Sequence, residues 1–149
     1  MAKLIATAGG AGYLPIAPGT AGTLVAVPIA WLTASWSWPL HVALVAGITL
    51  IGIWAAGAAD RAWQSHDSGR IVIDEVAGYL TSVAVVDRSD LRILAAGFAL
   101  FRVLDIVKPP PIRWIDQRVA GGAGVVLDDV AAGLIGAAAM AGLVAIGIF

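Results

Sequence analysis

Residues 40–59 read LHVALVAGITLIGIWAAGAA, a run with no Asp, Glu, Lys or Arg. As a helix rising about 1.5 Å per residue, it is about 30 Å long, the thickness of a bilayer's hydrocarbon core. The rest of the chain fits that frame. Of its 149 residues 60% are hydrophobic and 13% charged, whereas a typical soluble domain has roughly 25% charged residues. Mean hydropathy is +0.90. A soluble protein this small has too much surface to cover with so few charges; a lipid-facing surface removes the conflict. Period-2 alternation is not sustained anywhere, which disfavours a β-barrel. The expectation is an all-α integral membrane helical bundle forming a single domain over residues 1–149.

Working outward from 40–59, the chain shows about five apolar segments. The first covers roughly 21–35 and ends in Trp36 and Trp38, which suit an interfacial aromatic belt. The third starts near Asp74 and fades by Val86, too short for an upright span, so it is expected to be tilted, shielded by neighbours or partly inserted. The fourth runs over 91–107 and stops at Pro109, Pro110 and Pro111, where helix cannot continue. The fifth covers about 128–149. GIWAAGAA (52–59) and AAGLIGAAAMAG (131–142) are rich in small residues, which either let helices approach closely or reflect compositional bias alone. The net charge of −1 and the lack of a basic stripe exclude a nucleic-acid partner. With no cysteine there is no disulfide frame and no thiolate chemistry. The N-terminus lacks the layout of a cleavable signal peptide.

Five acidic residues interrupt or border these segments: Asp74 and Glu75, Asp105, and Asp128 and Asp129. Carboxylates among Val, Ile and Leu are costly unless balanced, and an ionisable group inside a membrane is a functional-site hypothesis by default. If five helices alternate across the membrane, one face collects Lys3, Arg61, Arg70, Lys108, Arg113 and Arg118, and the other Arg88 and Arg92. The basic excess assigns the first face to the cytoplasm. The same alternation puts all three acidic places at that end, with Asp74-Glu75 and Asp128-Asp129 each expected at a helix start, where partial positive charge would favour them.

Mg²⁺ prefers oxygen ligands, binding through one or two carboxylates plus phosphate oxygens and waters. Lys108, three residues after Asp105, is placed to meet a phosphate. The stretch GYLPIAPGTAGT supplies Gly19, Thr20, Gly22 and Thr23 before the first long helix; such backbone either cradles an anion or forms a cap and turn. Asp74 ranks below Glu75, since neighbours on a helix point about 100° apart, and it is a candidate helix cap.

LPIAPGTAGTL (14–24), RIVIDEVAGYL (70–80) and FRVLDIVKPPPIRWIDQRVAGGAGVVLDDVAAGL (101–134), in this order, resemble the phosphatidylglycerophosphatase A family. The last block joins F-R-x-x-D-I-x-K-P, P-I-R-W-x-D and L-D-D-x-x-A-G. Ile16 and Thr23 depart mildly from the family's first motif, and a hydroxyl survives at Thr23. The resemblance implies an Mg²⁺-dependent phosphatase of the bacterial inner membrane, multi-pass with its active site facing the cytoplasm. It would hydrolyse the terminal phosphomonoester of phosphatidylglycerophosphate, a lipid substrate, to phosphatidylglycerol and phosphate. Glu75, Asp105, Asp128 and Asp129 match the acidic motif positions and Lys108 the basic one. Metal ligation is expected from Glu75, Asp105, Asp128 and Asp129. Catalysis is expected from Asp105, Asp129 and Lys108, by direct water attack or through an aspartyl-phosphate. Substrate binding is expected from Lys108, Gly19, Thr20 and Thr23.

Other polar residues have plainer readings. Arg102 and Asp105, three apart, can form a structural ion pair. Asp116 and Arg118 suit a solvated loop, His66 a surface position, and His41 the interface at the far end. Tyr79 and Trp114 suit packing or interface anchoring. The rival to an enzyme is a small helical transporter or channel with a carboxylate cation site, which should carry acids near the midplane.

Overall fold

A computed structural model describes residues 1–65 and 67–149. His66 lies outside the described residues. Among them the chain is all-helical with no strand. Seven α-helices follow one another: α1 (Ala2–Ala6), α2 (Pro18–Leu32), α3 (Trp38–Trp63), α4 (Ile73–Ser82), α5 (Leu91–Val107), α6 (Ile112–Arg118) and α7 (Gly121–Ala145), with a 3-10 segment at Ala8–Tyr13 between α1 and α2.

The boundaries follow local chemistry. Proline at the first helical position opens α2, where its missing N–H has no partner to lose. Asp90 caps α5 by accepting a hydrogen bond from the Arg92 N–H at 2.8 Å. Lys108 ends α5 in the left-handed region (φ 45°), and the prolines that follow prevent further helix.

Among the described residues only α3, with 26 residues, and α7, with 25, are long and apolar enough to cross a membrane. The expectation of about five such helices is not supported. Helix α2 has 15 residues, α4 has 10 and α5 has 17, and at 1.5 Å per residue these span about 22, 15 and 26 Å. Just 22% of the most apolar window of α3 is buried inside the bundle. Leu50, Ile51 and Trp54 face outward instead, unlike the core helix of a soluble protein.

The short α4 is the centre of the bundle. Every residue from Val76 to Ser82 is buried, and α2, α3, α5 and α7 all pack against it. Tyr79 is a core residue: its hydroxyl donates to the Leu94 carbonyl at 3.0 Å and its ring meets Phe98 and Phe101 edge-on. Small residues set the closest approaches. A Cβ at Gly78 would stand 2.6 Å from the Asp129 carbonyl oxygen and 2.5 Å from the Phe101 ring. A Cβ at Gly133 would collide with the Gly78 carbonyl, and one at Gly122 with the Ile53 carbonyl of α3. Gly122 and Gly133 of α7 are therefore contact residues.

The far end of α4 is held by polar groups. His41 is fully buried, and its Nε2 lies 3.0 Å from the Leu80 carbonyl oxygen; its ring faces the bundle interior. Arg88 is 5% exposed and donates from Nη2 to the Thr33 and Trp36 carbonyls at 3.2 Å each. It ties the segment after α4 to the end of α2. At the other end Asp60, 8% exposed, accepts from Ser65 Oγ and the N–H groups of Asp67 and Ser68, which fixes the turn leading into α4.

Gly78→Ala should destabilise the bundle by about 1–3 kcal/mol, despite alanine's better helix propensity, because the added methyl meets backbone that cannot yield. Thermal unfolding in detergent measures this; equal or higher stability would show that α4 and α7 can part without cost.

Candidate active site

Asp74 and Glu75 occupy the first turn of α4. The residue before the helix is Val72, with no side-chain cap, so Asp74 is a helical residue and not the cap. Its carboxylate joins Glu75 and Asp129: one oxygen from each lies within 4.8 Å of the others. Asp74, ranked lowest from the sequence, is thus in the middle of the acids. Adjacency on the helix does not separate the pair here because α7 crosses against the start of α4.

Helix α7 begins at Gly121, seven residues before Asp128, so Asp128 and Asp129 lie about 11 Å inside it. The expectation that a helix start favours them is corrected, since that effect fades within the first turn; it applies to Asp74 and Glu75. Both α7 aspartates are 3% exposed. Being neighbours, they point in different directions: Asp129 toward α4, and Asp128 toward Lys108.

Two cations serve this end. Arg102 Nη1 is 2.5 Å from Asp105 Oδ2 and 3.7 Å from Glu75 Oε1. The i,i+3 ion pair foreseen in α5 exists, and it also reaches across to α4. Lys108 pairs with Asp128 and, at 2.8 Å, with Asp116 of α6. Burial lowers the affinity of its amine for a proton, but hydrogen bonds donated to Asp116 and Asp128 outweigh this and hold the group above the usual lysine value. Asp116 lies in α6 and not in a loop, and although it is solvent-exposed, as expected, it is also a partner of Lys108. The signal that could have found it is its place in α6, which the proline run folds back over α7.

Gly19 stands against this cluster: a Cβ there would collide with Glu75 Oε1 and lie 3.2 Å from both Nη atoms of Arg102. Thr20 is half-buried beside it. Thr23 is fully buried and its hydroxyl donates to the Gly19 carbonyl at 3.0 Å. Its proton is engaged in holding the first turn of α2, so the substrate contact expected of Thr23 is not what the structure places there.

Buried oxygens Asp74 Oδ1, Glu75 Oε2, Asp128 Oδ1 and Asp129 Oδ2 have no hydrogen-bond partner, and neither does Arg102 Nε. Ionised carboxylates are acceptors only, so two of them cannot satisfy each other. Oxygen donors at this spacing suit a hard divalent cation. Asp74, Glu75 and Asp129 fit that group, Asp105 adjoins it through Arg102, and Asp128 is turned to Lys108.

The sequence model of the phosphatidylglycerophosphatase A family matches residues 4–144. The chain is 40% identical over 134 residues to phosphatidylglycerophosphatase A of Escherichia coli, covering 90% of this chain and 78% of that protein. It is 40% identical over 139 residues to a putative phosphatidylinositol-3-phosphatase of Bacteroides thetaiotaomicron, covering 88% and 86% respectively. It is 34% identical over 135 residues to phosphatidylglycerophosphatase A of Haemophilus influenzae, covering 88% and 81%. No solved structure matches the chain.

Lys108→Met should cost roughly 3 kcal/mol of stability, because it leaves Asp128 buried without its cation. Adding Asp128→Asn should recover most of the loss. While Asp128 is ionised, the raised lysine value means the pair contributes fully up to the ordinary lysine range and is lost only as pH rises above it. The cost should therefore stay constant between about pH 7 and 9. Thermal unfolding of the single and double variants across that range tests both statements.

Proposed function

The chain belongs to the phosphatidylglycerophosphatase A family, whose members are phosphoric monoester hydrolases, and from that premise we propose that it removes the terminal phosphate of phosphatidylglycerophosphate. The observation that carries the reading is the meeting of Asp74, Glu75, Asp105 and Asp129 with Arg102 at one end of an apolar bundle. Such a site would receive a charged headgroup while acyl chains stay beside α3 and α7.

Asp74, Glu75 and Asp129 would hold Mg²⁺, with Asp105 next to them. Bound there, the ion would offset negative charge and polarise the phosphate ester. The protein's own groups do the rest. Asp105 is the candidate to orient the attacking water and take its proton. As the new P–O bond forms, the bond to the glycerol oxygen breaks, and the released alcohol regains a proton. Gly19 and Thr20 at the uncapped start of α2 would meet the phosphate with backbone N–H groups. Lys108 would reach phosphate only by exchanging one of its two carboxylate partners, so its first role is to balance Asp128.

The site end carries Lys3, Arg61, Arg70, Lys108, Arg113 and Arg118 against Arg88 and Arg92 at the other. That bias supports a cytoplasmic site in the inner membrane. The transporter reading is weaker, because the clustered acids gather at one end and do not mark a path. The Bacteroides relative, equally identical at 40%, bears a name for a phosphoinositide substrate, so a second lipid phosphomonoester belongs in the assay.

Purified protein with Mg²⁺ should release phosphate from phosphatidylglycerophosphate, and chelation should abolish release. No release from folded protein in lipid with metal present would sink the assignment, and preference for phosphatidylinositol 3-phosphate would redirect it. Asp74→Asn, Glu75→Gln and Asp129→Asn should each lower kcat by roughly a hundredfold or more; near-full activity in any one removes that residue from the set.

A further inference from the structure

We infer that Arg102 is a positioning residue: it holds one oxygen of Glu75 and one of Asp105, so that their remaining oxygens face the acid cluster in a fixed orientation. The inference rests on the proposed cation site and names what aligns it. Nη1 of Arg102 reaches Asp105 Oδ2 at 2.5 Å and Glu75 Oε1 at 3.7 Å, joining α5 to the first turn of α4. The other oxygen of Glu75, Oε2, is buried with no hydrogen-bond partner. The two oxygens of one carboxylate therefore have different surroundings, one beside a guanidinium and one unengaged.

A second, independent contact confines the same carboxylate. Helix α2 presents Gly19 to it so closely that any Cβ would collide with Oε1 and crowd both Nη atoms of Arg102. Glu75 cannot swing toward α2, and Arg102 blocks the side toward α5. The alternative basic residue, Lys108, is engaged by Asp116 and Asp128 and makes no ion pair with Glu75. Guanidinium is planar with fixed donor directions, whereas an ammonium is a single point charge. In Arg102 the planar group lies between two helices, with Nη1 hydrogen-bonded to Asp105 and beside Glu75.

The test turns on a sign. Taking away a positive charge beside a cation site should, by electrostatics alone, tighten cation binding. Loss of a group that orients the ligands should weaken it, typically 10–100-fold. Mn²⁺ titration of the full chain in detergent, by calorimetry, reads the affinity directly. Arg102→Ala should raise the Mn²⁺ Kd about 10–100-fold, and Arg102→Lys should fall between it and wild type. Gly19→Ala displaces the same carboxylate without changing any charge and should also weaken binding. In turnover, excess Mg²⁺ should recover much of the kcat lost in Arg102→Ala while KM for lipid changes little.

Tighter or unchanged Mn²⁺ binding in Arg102→Ala overturns the inference, as does a raised KM with metal affinity intact, which would make Arg102 a phosphate contact. If Arg102→Ala does not fold, Arg102→Lys and Gly19→Ala decide, and unchanged affinity in both overturns it. Wild-type protein that binds no Mn²⁺ overturns both this inference and the proposed cation site. Wild-type protein that binds Mn²⁺ but releases no phosphate overturns the proposed function alone, and the variants' affinities still decide the role of Arg102.

Discussion

The close crossing of α4 on α7 governs the rest of the molecule. Gly78 and Gly133 remove the side chains that would hold the two backbones apart. The contact falls within one turn of Glu75 on α4 and of Asp129 on α7, so it brings two acids from distant parts of the sequence to ligand spacing. Apolar helices in lipid gain little from burying more apolar surface, and packing by small residues is the force left to them. Here the same contact that holds the bundle together also assembles its charged end.

The five carboxylates are not equivalent, and their differences come from the basic neighbours each one has. Asp128 has a lysine shared with Asp116. Asp105 and Glu75 share an arginine. Asp74 and Asp129 have no basic partner within ion-pair distance among the described residues. Negative charge is concentrated where compensation is least, which is the condition under which a cation binds well. Two adjacent residues of α7, 128 and 129, serve different neighbours because one helical step turns the side chain by about 100°.

Composition and apolar runs showed an all-helical bundle, and the proline run located the end of α5. The acids were read at one end, and they meet there. What stayed hidden was three-dimensional. The fifth apolar segment was expected from about 128, yet α7 begins at Gly121, and Gly122 and Gly124 lie against α3 and Val119. Asp74 looked peripheral because one-helix geometry says nothing about where a second helix crosses. The pairings of His41 with the Leu80 carbonyl and of Asp116 with Lys108 were hidden because the partners lie 39 and 8 residues away. The number of spanning helices was also misjudged, since hydropathy marks an apolar segment but not the residue at which packing ends it.

The contact between His41 and Leu80 has a mechanical consequence. Helix α4 is a short rod whose two ends do different work. Glu75 stands five residues from Leu80, about 7.5 Å along the axis, and the rod is rigid over that length. Raising or lowering the stop at Leu80 therefore shifts the carboxylate by a similar distance. The height of Asp74 and Glu75 is thereby tied to an imidazole on α3 and to the arginine that anchors the chain beyond α4, in the half of the bundle farther from the acids.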